Sequence, residues 1–465
     1  MNGPVQSLAA LFAGVFRLGA MAVVLMMLFF PAFKGMWIGY IPLLVGGLLL
    51  GGLVRFHRSM SAGLMALSGA RFLWLIVLVP VVVQMALILL FRSVPTFDGF
   101  FVYREAKTLA ESGGMSPLTY YAPGQIWYYA IFFRLFGASF LVAQLCQLPL
   151  VGLIPVLSYG IAKRAMPVAP ARVAALLIAL YPGLLGYILV TPYYFYMYTV
   201  SILLVVWAWL KVLDHPEDRF SAMWGGAAAG WGALTKATLL VAPVQTLFFW
   251  LVAGGTLFHR RRWTAWLLFT LVMAAVIAPW ALRNKQVFGE TVLINTSGPL
   301  VFYSANNPES DGLYSPIPDE APIHTPEEML AHMDWCNEQA WNFIRERPAA
   351  FAHLVWLKLL HTWGTETTFV ELINRNGESL GVWDPLLRFV VQVGWAALVF
   401  AWAYAAAGAL WRRLPPSALE IAVGIFVLSK FLIYSVYEGG ARHHMPVVPL
   451  LICVVVMMYT RREKS

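Results

Sequence analysis

Apolar runs of near membrane-spanning length recur along almost the whole chain, at roughly 8–30, 37–54, 72–92, 139–163, 173–190, 195–212, 222–236, 239–257, 264–282, 385–410, 419–436 and 445–460. A helix needs about 20 mostly apolar residues to cross a ~30 Å hydrocarbon core. Only helices or closed barrels satisfy their backbone in lipid. The repeated runs therefore predict an all-α polytopic membrane protein with about twelve transmembrane helices. Composition agrees: 60% of the 465 residues are hydrophobic and 12% charged, against roughly 25% charged in a soluble domain.

The formal charge of +9 does not imply nucleic acid, because the basic residues sit in short clusters between apolar runs. Arg55/Arg58/Arg71, Lys163/Arg164/Arg172, Arg260/Arg261/Arg262, Arg412/Arg413 and Arg461/Arg462/Lys464 fall on one side of the threading. By the positive-inside bias that side is the cytoplasm, and both termini share it. The three dispersed cysteines contain no CxxC pair and predict neither a disulfide framework nor a zinc site. The N-terminus lacks a cationic leader and reads as a retained first span.

Two long connections then face outward. The first outer loop, 93–138, is expected to hold a helix over 99–112 capped by Asp98 and stopped by Gly113-Gly114. An aromatic-rich interfacial helix is expected after Pro123. The second, 283–384, is acidic and partly helical. Its Thr325-Pro326-Glu327-Glu328 is a capping box with Pro at the first helical position, and a further helix runs over 349–364. The chain divides into a two-helix N-terminal addition (1–70), a transmembrane core with the first outer loop (71–282), a periplasmic loop region (283–384) and C-terminal transmembrane helices (385–465).

Ionisable groups in hydrocarbon cost roughly 2.5–3.5 kcal/mol each on insertion scales and so mark functional pathways. The spans carry essentially no mid-membrane acid, and Arg17, Lys236 and Lys430 are expected to snorkel. A proton-coupled pump would want an intramembrane carboxylate relay, so the polar residues point to chemistry at the outer face. Asp98 is the carboxylate placed there, and a general base must be fixed within ~3 Å of the hydroxyl it activates. Arg283 follows a span at headgroup depth, and Arg442, His443 and His444 crowd the outer turn YEGGARHHMP. Lys236 lies near the same level. Cations at that depth beside a carboxylate suit a lipid phosphate. Asn306 and Asn307 precede Pro308 as turn formers.

In the order and placement of these motifs, the chain resembles integral-membrane glycosyltransferases of the GT-C superfamily, in particular the bacterial group related to protein O-mannosyltransferases and aminoarabinose transferases. The set runs from Asp98 and Tyr103 through Tyr121-Ala122-Pro123, Leu234-Thr235-Lys236, Trp280 with Arg283-Asn284, and Asn306-Asn307-Pro308. It continues with Arg347-Pro348, Phe351, Lys358 and Trp363, and ends at Ala441-Arg442 with Pro446. It covers most of 90–460.

The resemblance implies a GT-C fold and a transferase that moves a sugar from a polyprenyl-phosphate carrier to an acceptor hydroxyl of a lipid, glycan or protein at the outer face of a bacterial inner membrane, usually with inversion. Asp98 would be the base. Tyr103, Tyr121, Lys236, Arg283, Asn306, Asn307, Lys358, Arg442 and His443 would contact substrate, with Arg283, Arg442 and Lys236 on the phosphate. The family often has a second acid beside the first and another in the next outer loop. Here Gly99 and TPYYFYMY stand there, and neither a metal nor any other cofactor is expected. Two alternatives remain open at this level. A polysaccharide polymerase or ligase would use Arg442 and His443. A lipid or solute transporter would need internal repeats and midplane sites.

Overall fold

The computed structural model describes residues 3–91, 97–190, 192–254, 260–315, 322–374 and 380–464. Every regular element among them is helical. Among the described residues, eleven helices are long and apolar enough to cross a membrane. The sequence pattern gave about twelve, and the difference is Arg219–Thr235, which has 17 residues. At 1.5 Å per residue it is about 25 Å long. It lies along Phe195–Asp214 on one side and Arg260–Phe288 on the other. A Cβ at Gly226 would stand 2.3 Å from the Phe269 carbonyl oxygen, and one at Gly225 would stand 2.7 Å from the Ala208 methyl. The glycines that weakened the apolar signal are what lets three helices close together, the small-residue packing used in membranes.

Helices Gly3–Phe33 and Tyr40–Met65 pack on Trp383–Trp411, so the two ends of the chain share one bundle. Arg17 does not snorkel. It is buried, and its guanidinium grips Glu420 with Nε at 2.5 Å and Nη2 at 2.9 Å, with Nη1 on the Leu414 carbonyl. A buried charge is tolerated only when paired in this way. Arg172 is likewise buried and donates to the carbonyls of Leu64 and Leu67, closing the end of the Tyr40–Met65 helix.

At the opposite end of the bundle lie the helices outside the spans. Phe97–Ser112 ends at Gly113, whose φ of +74° is the left-handed stop. Pro123–Phe136 carries Pro at its first position. It buries Ile126, Tyr129 and Phe133 while exposing Ile131, Leu135 and Phe136. Pro326–Glu346 starts with the expected capping box: Glu328 N–H donates to Thr325 Oγ1 at 3.2 Å, and Thr325 N–H to the Glu328 carboxylate at 3.1 Å. Pro348–Trp363 follows directly.

Candidate active site

Asp98 is not a helix cap. The helix begins at Phe97, which puts Asp98 inside the first turn. Tyr121 hydroxyl donates to Oδ1 at 3.2 Å and Tyr193 hydroxyl to Oδ2 at 3.1 Å. Burial is the main cause that keeps both phenols well above their ordinary range, so each holds its proton and acts as a donor. Gly99 lets the helix approach the next loop: a Cβ there would stand 3.0 Å from the Pro192 carbonyl oxygen. Tyr193 is itself pinned. Its N–H donates to Tyr129 hydroxyl at 2.9 Å, and that hydroxyl donates to the Tyr193 carbonyl at 3.0 Å.

Arg442 approaches from the other end of the chain. One guanidinium nitrogen lies 3.9 Å from Asp98 Oδ2 and donates to Tyr193 hydroxyl at 3.3 Å. The other is bonded to Glu438. Burial alone would raise the Glu438 carboxyl, but Arg442, then His443 and Lys236, outweigh it and hold it well below the usual carboxylate range. The turn carrying these residues needs its two glycines. A Cβ at Gly439 would meet the Lys358 carbonyl oxygen at 2.6 Å, and Gly440 takes a φ of +150°. Gly440 N–H donates to Thr362 Oγ1 and Gly439 N–H to the Gly312 carbonyl, fixing the direction in which Arg442 leaves.

Lys236 ends the Arg219–Thr235 helix and stacks over the Tyr194 ring at 4.5 Å. His443 is buried with its ring on Tyr434 at 3.8 Å, and its Nε2 lies 3.5 Å from Glu438.

Other residues singled out in the sequence take supporting places. Arg283 donates to Thr119 Oγ1 at 2.6 Å and to the Ser116 carbonyl at 3.0 Å, stitching the strand of loop that leads to Tyr121 onto the Arg260–Phe288 helix. Tyr103 packs against Phe133 and Phe140 and donates to the Ala138 carbonyl. Lys358 is fully buried and donates to Asn306 Oδ1 at 2.6 Å and the Val436 carbonyl at 3.0 Å. Asn306 donates to Phe302 and Val436, and Asn307 folds back on Tyr303 and Ser304. These bonds tie the second loop to the end of the Ala418–Val436 helix rather than to Asp98.

Sequence reasoning passed over Tyr193 and Glu438. The tyrosine density of TPYYFYMY and the i, i+4 spacing of Glu438 and Arg442 were the available signals. Among the described residues no three His, Cys, Asp or Glu converge as a metal site. The donors around Asp98 are two phenols and a guanidinium, a poor set for a hard divalent cation that wants several anionic or carbonyl oxygens.

Comparison with known proteins agrees with this architecture. A family model described as dolichyl-phosphate-mannose-protein mannosyltransferase matches residues 121–282. The oligosaccharyltransferase of Archaeoglobus fulgidus in its apo form is 15% identical, with a TM-score of 0.51 over 85% of this chain. The same enzyme tethered to an acceptor peptide containing the NVT sequon is 13% identical, with a TM-score of 0.50 over 84% of this chain. The present chain spans about half of those chains, 50% and 49%. ArnT from Cupriavidus metallidurans bound to undecaprenyl phosphate gives 15% identity and a TM-score of 0.38, with 85% of this chain and 78% of that chain covered. No curated protein matches in sequence. The chain therefore has a GT-C fold.

Proposed function

We propose that the protein transfers a sugar from a polyprenyl-phosphate carrier to an acceptor hydroxyl of a lipid, glycan or protein, with inversion, on the extracytoplasmic face of a bacterial inner membrane. The observation that carries this reading is the meeting of a carboxylate and a guanidinium, Asp98 and Arg442, at 3.9 Å beside two phenols.

Asp98 accepts the proton of the acceptor hydroxyl. The acceptor oxygen bonds to the sugar C1 as the bond from C1 to the phosphate oxygen breaks, and the electron pair stays with the lipid phosphate. Arg442 and Lys236 face the charge that builds there. Because the leaving group departs as an anion, no separate general acid is required. Tyr121 and Tyr193 hold Asp98 by its two oxygens and yield one of those contacts to the incoming hydroxyl.

The test is Asp98→Asn in membranes supplied with a radiolabelled polyprenyl-phosphate sugar. Loss of about 10²-fold or more in transfer is expected, on the scale of a positioned base. Transfer at the unmodified rate would remove the assignment.

A further inference from the structure

Beside Arg442 lies a second group of side chains that the transfer reading leaves partly unused. Lys430, on the Ala418–Val436 helix, is buried. Its Nζ lies 4.8 Å over the Tyr198 ring and 5.4 Å from the Tyr434 centroid, and it donates to Tyr198 hydroxyl at 3.3 Å. Tyr198 hydroxyl also bonds Thr238 Oγ1 at 2.9 Å. Tyr194 and Tyr198 pack edge to face at 6.0 Å, so Lys236 over the first and Lys430 over the second lie on neighbouring rings. The Tyr434 ring links this group to the Arg442 turn, with Lys430 at 5.4 Å from its centroid and the His443 ring at 3.8 Å.

An ammonium has three donors. Among the described residues Lys236 spends none on a protein acceptor, and Lys430 spends one. Among the described residues neither is paired with a carboxylate, and Glu438 bonds to Arg442. Two such groups on aromatic faces repel unless an anion lies between them.

We infer that Lys236 and Lys430, framed by Tyr194, Tyr198 and Tyr434, form the seat of the carrier's phosphate, and that Lys430 is its third cationic ligand after Arg442 and Lys236. The inference rests on the proposed transfer, and charge balance gives its reason. Arg442, Lys236 and Lys430 against Asp98 and Glu438 leave one positive charge, the complement of a sugar–phosphate–lipid diester. After transfer Asp98 holds the acceptor's proton and the site gains a second positive charge. The phosphate, now a monoester, gains a second negative one. Without Lys430 both states keep one uncompensated negative charge.

The test uses the full chain in detergent and equilibrium binding of a polyprenyl monophosphate followed by native mass spectrometry. Lys430→Met is expected to weaken binding by about tenfold or more, the range for a charged hydrogen bond, and Lys430→Arg to retain most of it. Asp98→Asn, which imitates the protonated base, is expected to bind the monophosphate more tightly, and Asp98→Asn with Lys430→Met to lose that gain. Inorganic phosphate and phosphatidylglycerol are the companion probes. Equal competition by either would show a general anion site and overturn the assignment to the carrier.

Unchanged affinity in Lys430→Met overturns the inference. If that variant does not purify as a folded protein, amine acylation of the unmodified chain decides. Polyprenyl monophosphate must protect Lys430, and a Lys430 equally reactive, or equally unreactive, with and without it overturns the inference. The two readings fail separately. An active Asp98→Asn with phosphate binding lost in Lys430→Met removes the base and keeps the seat. An inactive Asp98→Asn with unchanged binding in Lys430→Met does the reverse.

Discussion

Asp98 in the first loop helix and Arg442 in the turn before the last span meet at 3.9 Å, with the hydroxyl of Tyr193 accepting from the guanidinium and donating to the carboxylate. The pair joins a proton acceptor to a cation through one neutral bridge, which keeps both ends ready for separate partners. In a glycosyl transfer those partners are the acceptor hydroxyl and the departing phosphate.

Tyr193→Phe removes the bridge and leaves the backbone clamp from Tyr129 intact. Turnover is expected to fall about tenfold, the worth of a hydrogen bond to a charged group, with a smaller change in KM for the donor. Steady-state kinetics with a lipid-linked sugar checks this, and unchanged turnover would mean that the bridge is merely packing.

Glu438→Gln leaves the Arg442 charge without its buried partner. Breaking a buried pair from one side costs about 3–5 kcal/mol, so a clear drop in melting temperature is expected in detergent. A melting curve superposing on that of the unmodified protein would contradict it.

Lys358 gives a pH signature. Burial pushes its ammonium from the ordinary 10.5 down to about 7. Between these values the unfolded chain binds the proton that the folded chain has released, so stability rises with pH across that window and is lowest below it. Melting measured from pH 6.5 to 10 is expected to climb, and Lys358→Met to flatten that climb. Lys358→Met also leaves the buried Asn306 Oδ1 without its donor, a loss of about 1–3 kcal/mol.

Gly226→Ala tests the three-helix contact. A Cβ there has only backbone to displace, the Phe269 carbonyl oxygen at 2.3 Å, so overpacking of about 1–3 kcal/mol is expected. Gly160→Ala, with nothing within 4 Å of its Cβ, is the control and should melt with the unmodified protein.

Much of this was legible from the residues. The apolar runs gave the spans because burial in lipid is read by composition and length alone. Gly113 as a stop and the Thr325–Glu328 capping box were legible because each is a local geometry fixed within four or five residues. Asp98 drew notice as an acid beside apolar sequence, yet its local reading as a cap was wrong. Its carboxylate bonds to tyrosines far along the chain, and such partners are invisible to local propensity. The glycine-rich 222–236 read as a weak span because hydropathy scores transfer to lipid, whereas this helix is held by close contact with two neighbours.

The sequence by itself determined a helical membrane protein, its turns and the supply of polar groups beyond the spans. Tertiary structure alone decided which of those groups share a pocket. It placed Asp98, Tyr193, Glu438 and Arg442 together, and sent Arg283, Asn306 and Lys358 to brace the loops. The physical reason is range. Hydrophobic length and capping act within one element, whereas a charge chooses its partner across the bundle, where burial makes an unpaired ion too costly to leave.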